Sequence, residues 1–121
     1  MYAAVAETPA ERTSAYAHEL ARRLEAEQPD LVVSRMTKAL RPGKVLVDWS
    51  QNNAAKTTVT VYSLRARPTA TVSTPVTWDE VGAAAEGAPL SFTQADVLAR
   101  IDDGDLFEPL LAIERPALPK V

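Results

Sequence analysis

Asp48 is the residue whose type and setting most readily suggest chemistry. It sits in the run Val45-Leu46-Val47-Asp48-Trp49, among apolar neighbours and just ahead of the polar stretch Gln51-Asn52-Asn53. A carboxylate placed there must find hydrogen-bond donors or hold a cation, because burying it alone is costly. The stretch from Arg41 to Lys56 also carries Lys44, Gln51 and Asn52. Two readings fit this set. A metal-bound triphosphate needs carboxylate for the metal, with cationic and amide donors for the phosphate oxygens. A buried Asp48 paired with Arg41 or Lys44 in a structural salt bridge needs the same residue types.

Composition narrows the metals. The chain has no cysteine and one histidine, His18, so thiolate and multi-histidine sites are excluded. His18 has no acidic partner at ligand spacing and reads as a surface residue. A metal here would be held by oxygen, which favours magnesium, manganese or calcium. Asp102-Asp103-Gly104-Asp105 lacks the regular spacing of a calcium loop and reads as a solvated helix end.

The elements that must position Asp48 follow from periodicity. Val45, Val47 and Trp49 alternate with Leu46, Asp48 and Ser50, which predicts a strand over 44–50. Thr57 to Tyr62 is rich in β-branched residues and predicts a second strand, joined to the first as an antiparallel hairpin. Residues 2–6 and 31–34 read as short strands. Tyr16, Leu20 and Leu24, with Ala17 and Ala21, form one apolar face and predict a helix over 9–28. Thr8, Pro9 and Glu11 read as its cap, first turn and capping-box partner, and Pro29 as its stop. Arg41-Pro42-Gly43 is a turn signal. Residues 63–75 read as irregular. Thr77 with Glu80 opens a short helix, and Thr93-Gln94-Ala95-Asp96 opens another with Val97, Leu98 and Ile101 on its apolar side. The expected fold is α+β: a small, mainly antiparallel sheet of strands 2–6, 44–50 and 57–62, with helices on one face and Asp48 on the opposite, exposed face. The whole chain, 1–121, reads as one domain, ending in an extended tail over about 112–121.

Charge is unevenly placed. Residues 31–68 hold seven basic residues against Asp48 alone, while 69–121 hold three basic against nine acidic. A basic block in a chain of net charge −3 suits an anionic partner such as phosphate or nucleic acid. No apolar run reaches the roughly 20 residues of a membrane helix. The start does not read as a signal peptide, so a cytoplasmic protein is expected.

The string Ser34-Arg35-Met36-Thr37-Lys38, continuing through Arg41-Pro42-Gly43-Lys44-Val45-Leu46-Val47-Asp48-Trp49-Ser50-Gln51-Asn52, resembles the third motif region of the polymerase domain of bacterial DNA ligase D. That domain is a member of the archaeo-eukaryotic primase superfamily. Tyr62-Ser63-Leu64-Arg65-Ala66-Arg67-Pro68 and Val72-Ser73-Thr74-Pro75-Val76-Thr77-Trp78-Asp79-Glu80-Val81 continue the likeness, which runs from about residue 1 to about residue 111. The resemblance implies that Asp48 is the third catalytic acid and a metal ligand. It implies that Arg41 contacts the nucleotide triphosphate, that Gln51 lines the same site, and that Arg65 stands near it. Lys44 and Asn52 are further nucleotide-binding candidates. Two ions, Mn2+ or Mg2+, would serve the complete domain, adding nucleotides or ribonucleotides to DNA ends in non-homologous end joining. The implied partners are DNA ends, nucleoside triphosphates, a ligase module and Ku.

The departures from the family pattern matter as much. No Asp-x-Asp pair precedes Asp48, and the histidine that ends the family's second motif is absent, as are the upstream lysines that hold a DNA 5′-phosphate. Thr60-Val61 stands where the family usually has Ala-Pro. One carboxylate cannot replace three, so the isolated chain is expected to be inactive: a fragment, a truncated reading frame, or one half of a split enzyme with an N-terminal partner. The alternatives are a non-catalytic DNA- or nucleotide-binding module, and a decayed remnant that self-associates through exposed strand edges.

Overall fold

A computed structural model describes residues 2–112 and 114–120, and these form two compact units. One comprises residues 5–58 with 114–121 and carries Asp48. The other comprises residues 1–4 with 59–113. The class is α+β, as the sequence predicts, but the strands are differently arranged.

In the unit carrying Asp48, helix α1 spans Ala10–Glu27. Its buried residue is Ala21, while Leu20 is exposed, so the expected apolar face is only partly covered. The predicted Thr8 cap does not form. The Thr8 hydroxyl instead donates to the Ala6 carbonyl at 2.8 Å, and Pro9 occupies the cap position without a side-chain bond. Strand β1 (Val32–Val33) pairs in parallel with β2 (Val45–Leu46), in the register Val32 to Val45 and Val33 to Leu46. Val32, Val33 and Ala21 are the buried apolar residues of this unit. Ser34 is buried too, and its backbone N–H and hydroxyl donate to Glu25 Oε2 at 3.2 and 2.5 Å. That pair ties the end of α1 to the end of β1. Gly43, at φ +73, supplies the left-handed residue of the predicted turn.

Three expectations for this sheet fail. The strand over 44–50 is confined to β2, because the Asp48 side chain takes the Ser50 N–H and bends the chain into a 3-10 turn, Trp49–Gln51. Residues 57–62 form no strand, and the hairpin with 44–50 is absent. Residues 51–60 are all exposed, with no ladder partner for their amide groups to favour extended pairing. Residues 2–6 form no strand either; Ala6 N–H makes a single backbone bond, to Pro116 O at 2.8 Å.

In the other unit, β3 (Leu64–Arg65) and β4 (Thr71–Val72) form an antiparallel pair in the segment expected to be irregular. Tyr62, at φ +64, starts the hairpin and donates its N–H to Ser73 O at 2.7 Å. Helices α2 (Trp78–Ala85) and α3 (Gln94–Ile101) both open on complete capping boxes, Thr77 with Glu80 and Thr93 with Asp96. Val72 and Val97 are its buried apolar residues. The Arg100 guanidinium grips Glu80 at 2.5 and 3.1 Å, donates to Pro75 O at 3.2 Å, and lies 4.7 Å from the centre of the Phe92 ring. Asp105, expected to be merely solvated, accepts the Tyr62 hydroxyl and the Phe107 N–H. The tail has no regular secondary structure over its described residues 114–120. No described helix is long and apolar enough to cross a membrane.

Candidate functional site

Asp48 stands at the junction of β2 and the Trp49–Gln51 turn, where the last paired strand residues give way to the polar segment. It acts as the cap of that turn. Its Oδ1 accepts the Ser50 N–H at 3.1 Å and the Ser50 hydroxyl at 2.6 Å, and its Oδ2 accepts the Gln51 side-chain amide at 3.2 Å. The carboxylate is exposed. The Ser50 hydroxyl does most to hold it below the usual carboxylate range; partial burial opposes this, and Gln51, the Ser50 N–H and the charge on Lys56 assist. Asp48 is therefore ionised at neutral pH and aimed by three donors on its own turn.

The expected cationic neighbours are engaged elsewhere. Arg41 donates to the Met36 carbonyl through Nη2, and its buried Nε has no hydrogen-bond partner. Lys44 donates to Pro29 O at 2.5 Å. Among the described residues Asp48 forms no salt bridge, so the structural ion pair with Arg41 or Lys44 is not present. Gln51 joins Asp48 directly. Asn52 turns back to the Trp49 carbonyl at 3.3 Å. Arg65 lies on β3 in the other unit, exposed and opposite Thr71.

The turn bearing Asp48 is fixed by contacts that sequence reasoning did not find. The Trp49 indole donates to Ser34 O at 3.0 Å, and its ring stacks on His18, with centroids 4.0 Å apart and planes 24° from parallel. Beside the stack is a cavity of about 380 Å³, lined by Glu11, Ser14, Asn52 and Asn53 among others. His18 is exposed, as expected, yet it braces the turn from α1. Nothing local in the sequence signals that contact. Ser50, two residues after Asp48, was findable: an aspartate commonly caps the backbone N–H two residues on.

The donor set does not suit a two-metal centre by itself. Among the described residues no three His, Cys, Asp or Glu side chains gather to hold an ion. Asp48 brings one carboxylate, and each ion of such a centre needs several oxygen ligands.

Comparison with known proteins places this arrangement in context. The model of the LigD primase-polymerase domain matches residues 1–107. The multifunctional non-homologous end joining protein LigD of Mycolicibacterium smegmatis is 50% identical over 112 residues, covering 91% of this chain and 14% of that protein. The non-homologous end joining DNA repair protein LigD of Mycobacterium tuberculosis is 50% identical over 95 residues, covering 78% of this chain and 12% of the relative. Among solved structures, the polymerase domain of Mycobacterium tuberculosis ligase D in complex with DNA superposes with a TM-score of 0.79 at 46% identity, covering 85% of this chain and 35% of that one. The chain thus spans a small fraction of its full-length relatives and about a third of the solved polymerase domain.

Proposed function

The chain belongs to the LigD primase-polymerase domain family, and from that premise we propose that it supplies the C-terminal part of a nucleotidyl-transfer centre that extends DNA ends during non-homologous end joining. The observation that carries this reading is the state of Asp48: exposed, ionised, aimed by Ser50 and Gln51, and in no salt bridge among the described residues. A purely structural carboxylate flanked by Arg41, Lys44 and Lys56 would be expected to pair with one of them.

The residues divide the work as follows. Asp48 would offer its carboxylate to Mn2+ or Mg2+, and such an ion, once held by further carboxylates as well, would supply Lewis-acid chemistry for nucleotidyl transfer. Ser50 and Gln51 hold that carboxylate in one orientation. Arg41 keeps Nη2 on a backbone carbonyl, its buried Nε is out of a ligand's reach, and its other guanidinium N–H groups make no hydrogen bond among the described residues. It has donor capacity left for a triphosphate oxygen. Lys44, Asn52 and Arg65 are the further nucleotide-binding candidates. Because the described residues furnish one carboxylate where the centre needs more, the chain alone does not polymerise, and further carboxylates come from an N-terminal polymerase half.

The test is primer extension with ribonucleotides and Mn2+, using the 121-residue chain alone and then mixed with the N-terminal part of a related polymerase domain. The reading predicts no extension by the chain alone, and extension in the mixture that disappears with Asp48→Ala. Extension by the chain alone, or a mixture indifferent to Asp48→Ala, would defeat it.

One observation favours a second reading. The basic block of seven residues against a single acid over 31–68 suits DNA binding without chemistry. Under that reading, DNA binding falls steeply with salt and is unchanged by Asp48→Asn.

A further inference from the structure

The segment that follows β2 is tethered by one side chain. Among the described residues, the hydrogen bonds made by residues 48–58 stay within residues 47–58, with a single exception. That exception is the Trp49 indole N–H, which donates to Ser34 O at 3.0 Å. Trp49 is half-buried, and the ring that covers it is His18, stacked with centroids 4.0 Å apart. His18, Ser34, Asp48 and Trp49 all belong to the unit containing residues 5–58.

Helix α1 supplies both halves of this clamp. His18 and Glu25 are seven residues apart, about two helical turns, and so lie on one side of α1. Glu25 accepts the N–H and the hydroxyl of Ser34, which fixes the residue whose carbonyl receives the indole. His18 covers the indole face. Trp49 in turn lies between Asp48 and Ser50, the acceptor and donor of the capping bonds. The backbone dihedrals that aim the Asp48 carboxylate are therefore those of the residue that the clamp holds. His18 is itself exposed, so its ring shields little core, and the contact serves the turn more than the helix.

We infer that His18 is a positioning residue: by stacking on Trp49 it holds the turn that aims the Asp48 carboxylate, and so raises the affinity of that carboxylate for a divalent cation. The inference rests on the functional reading above, and it adds a residue on another element that acts on the ligand without touching it. A stacked aromatic pair is worth roughly a factor of two to ten in an equilibrium. A group ordered before its ligand arrives passes that advantage on to binding.

Two variants of the 121-residue chain test it. His18→Ala removes the ring at an exposed helix position, where alanine is the best helix former, so α1 survives. His18→Phe keeps a ring that can stack and removes the ring nitrogens. Without metal, nuclear magnetic resonance follows the Trp49 indole N–H, the Ser50 N–H and the Gln51 side-chain amide. The Trp78 indole, 79% exposed and in the other unit, is the internal control. In His18→Ala the first three signals shift and exchange with water at least about twofold faster, while Trp78 is unchanged and His18→Phe matches the wild type. With Mn2+, His18→Ala weakens binding at the turn by at least about twofold, and His18→Phe restores it. Turn signals in His18→Ala that coincide with the wild type overturn the inference. A loss that His18→Phe does not restore also overturns it, because the imidazole nitrogens and not the stack would then be responsible. Mn2+ binding that Asp48→Asn abolishes but His18→Ala leaves within twofold defeats the positioning role and spares the functional reading. Absence of Mn2+ binding by the wild-type chain defeats the functional reading, and the metal-free spectra then decide the role of His18 on their own.

Discussion

Asp48 and Glu80 both stand at the start of a helical turn, and their surroundings use the negative charge in opposite ways. Glu80 closes a capping box with Thr77 and is gripped by the Arg100 guanidinium, which drives its carboxyl down to about 2. Asp48 also caps a turn and is also held below its ordinary value, but mainly by a hydroxyl and amide groups, with the Lys56 charge a lesser, unpaired contribution. The first carboxylate is fully matched by a cation and serves the fold. The second is oriented by its own turn, feels the Lys56 charge only at a distance, and enters no ion pair among the described residues, which is why it is the candidate metal ligand proposed above. Similar local geometry therefore separates a structural acid from a candidate functional one by what neutralises each.

Changes that break this contrast have graded effects. The largest falls on the matched pair. Arg100→Ala leaves a half-buried Glu80 carboxylate without its partner and lowers stability by about 2 kcal/mol, read from urea unfolding. An increase in stability, or no change, would remove the structural role assigned to the pair.

Acid acts on the same interaction. Glu80 has its folded value lowered from 4.5 to about 2, so its contribution is present above about pH 4.5 and is lost as pH falls towards 2. Circular dichroism in acid should show the helices of this unit weakening through that window, and Glu80→Gln should flatten the response. A profile that Glu80→Gln leaves unaltered would assign the acid sensitivity to another group.

Removing one cap has a smaller effect. Thr77→Ala and Thr93→Ala each cost about 1 kcal/mol by thermal or chemical unfolding. The smallest change is at the other carboxylate. Asp48→Asn keeps a competent cap and an exposed side chain, so stability stays within about 0.5 kcal/mol. A loss as large as that of Arg100→Ala would make Asp48 structural after all.

The parts of this molecule legible in sequence are those written locally. Thr77 with Glu80 and Thr93 with Asp96 announce α2 and α3 three residues apart, and Tyr16, Leu20 and Leu24 announce α1. Strand pairing is written across distance and was misread. The β-branched run Thr57 to Tyr62 has the composition of a strand but no ladder among the described residues. Leu64–Arg65 and Thr71–Val72 do pair, yet their shortness and the nearby Pro68 concealed them. At the candidate site, Asp48 was legible from its type and neighbours. Its capping bond moved it from mid-strand to the strand end, and the brace of His18 on Trp49 had no sequence signal.

The central claim is that Asp48, an exposed acid in no ion pair among the described residues, serves as a ligand for a divalent cation. Paramagnetic Mn2+ titrated into the isotopically labelled chain tests it directly, because broadening marks the amides nearest the ion. The account predicts selective broadening at Asp48, Ser50 and Gln51 that vanishes in Asp48→Asn. Broadening centred on Asp102, Asp103 and Asp105, or broadening at the turn that survives Asp48→Asn, would contradict it.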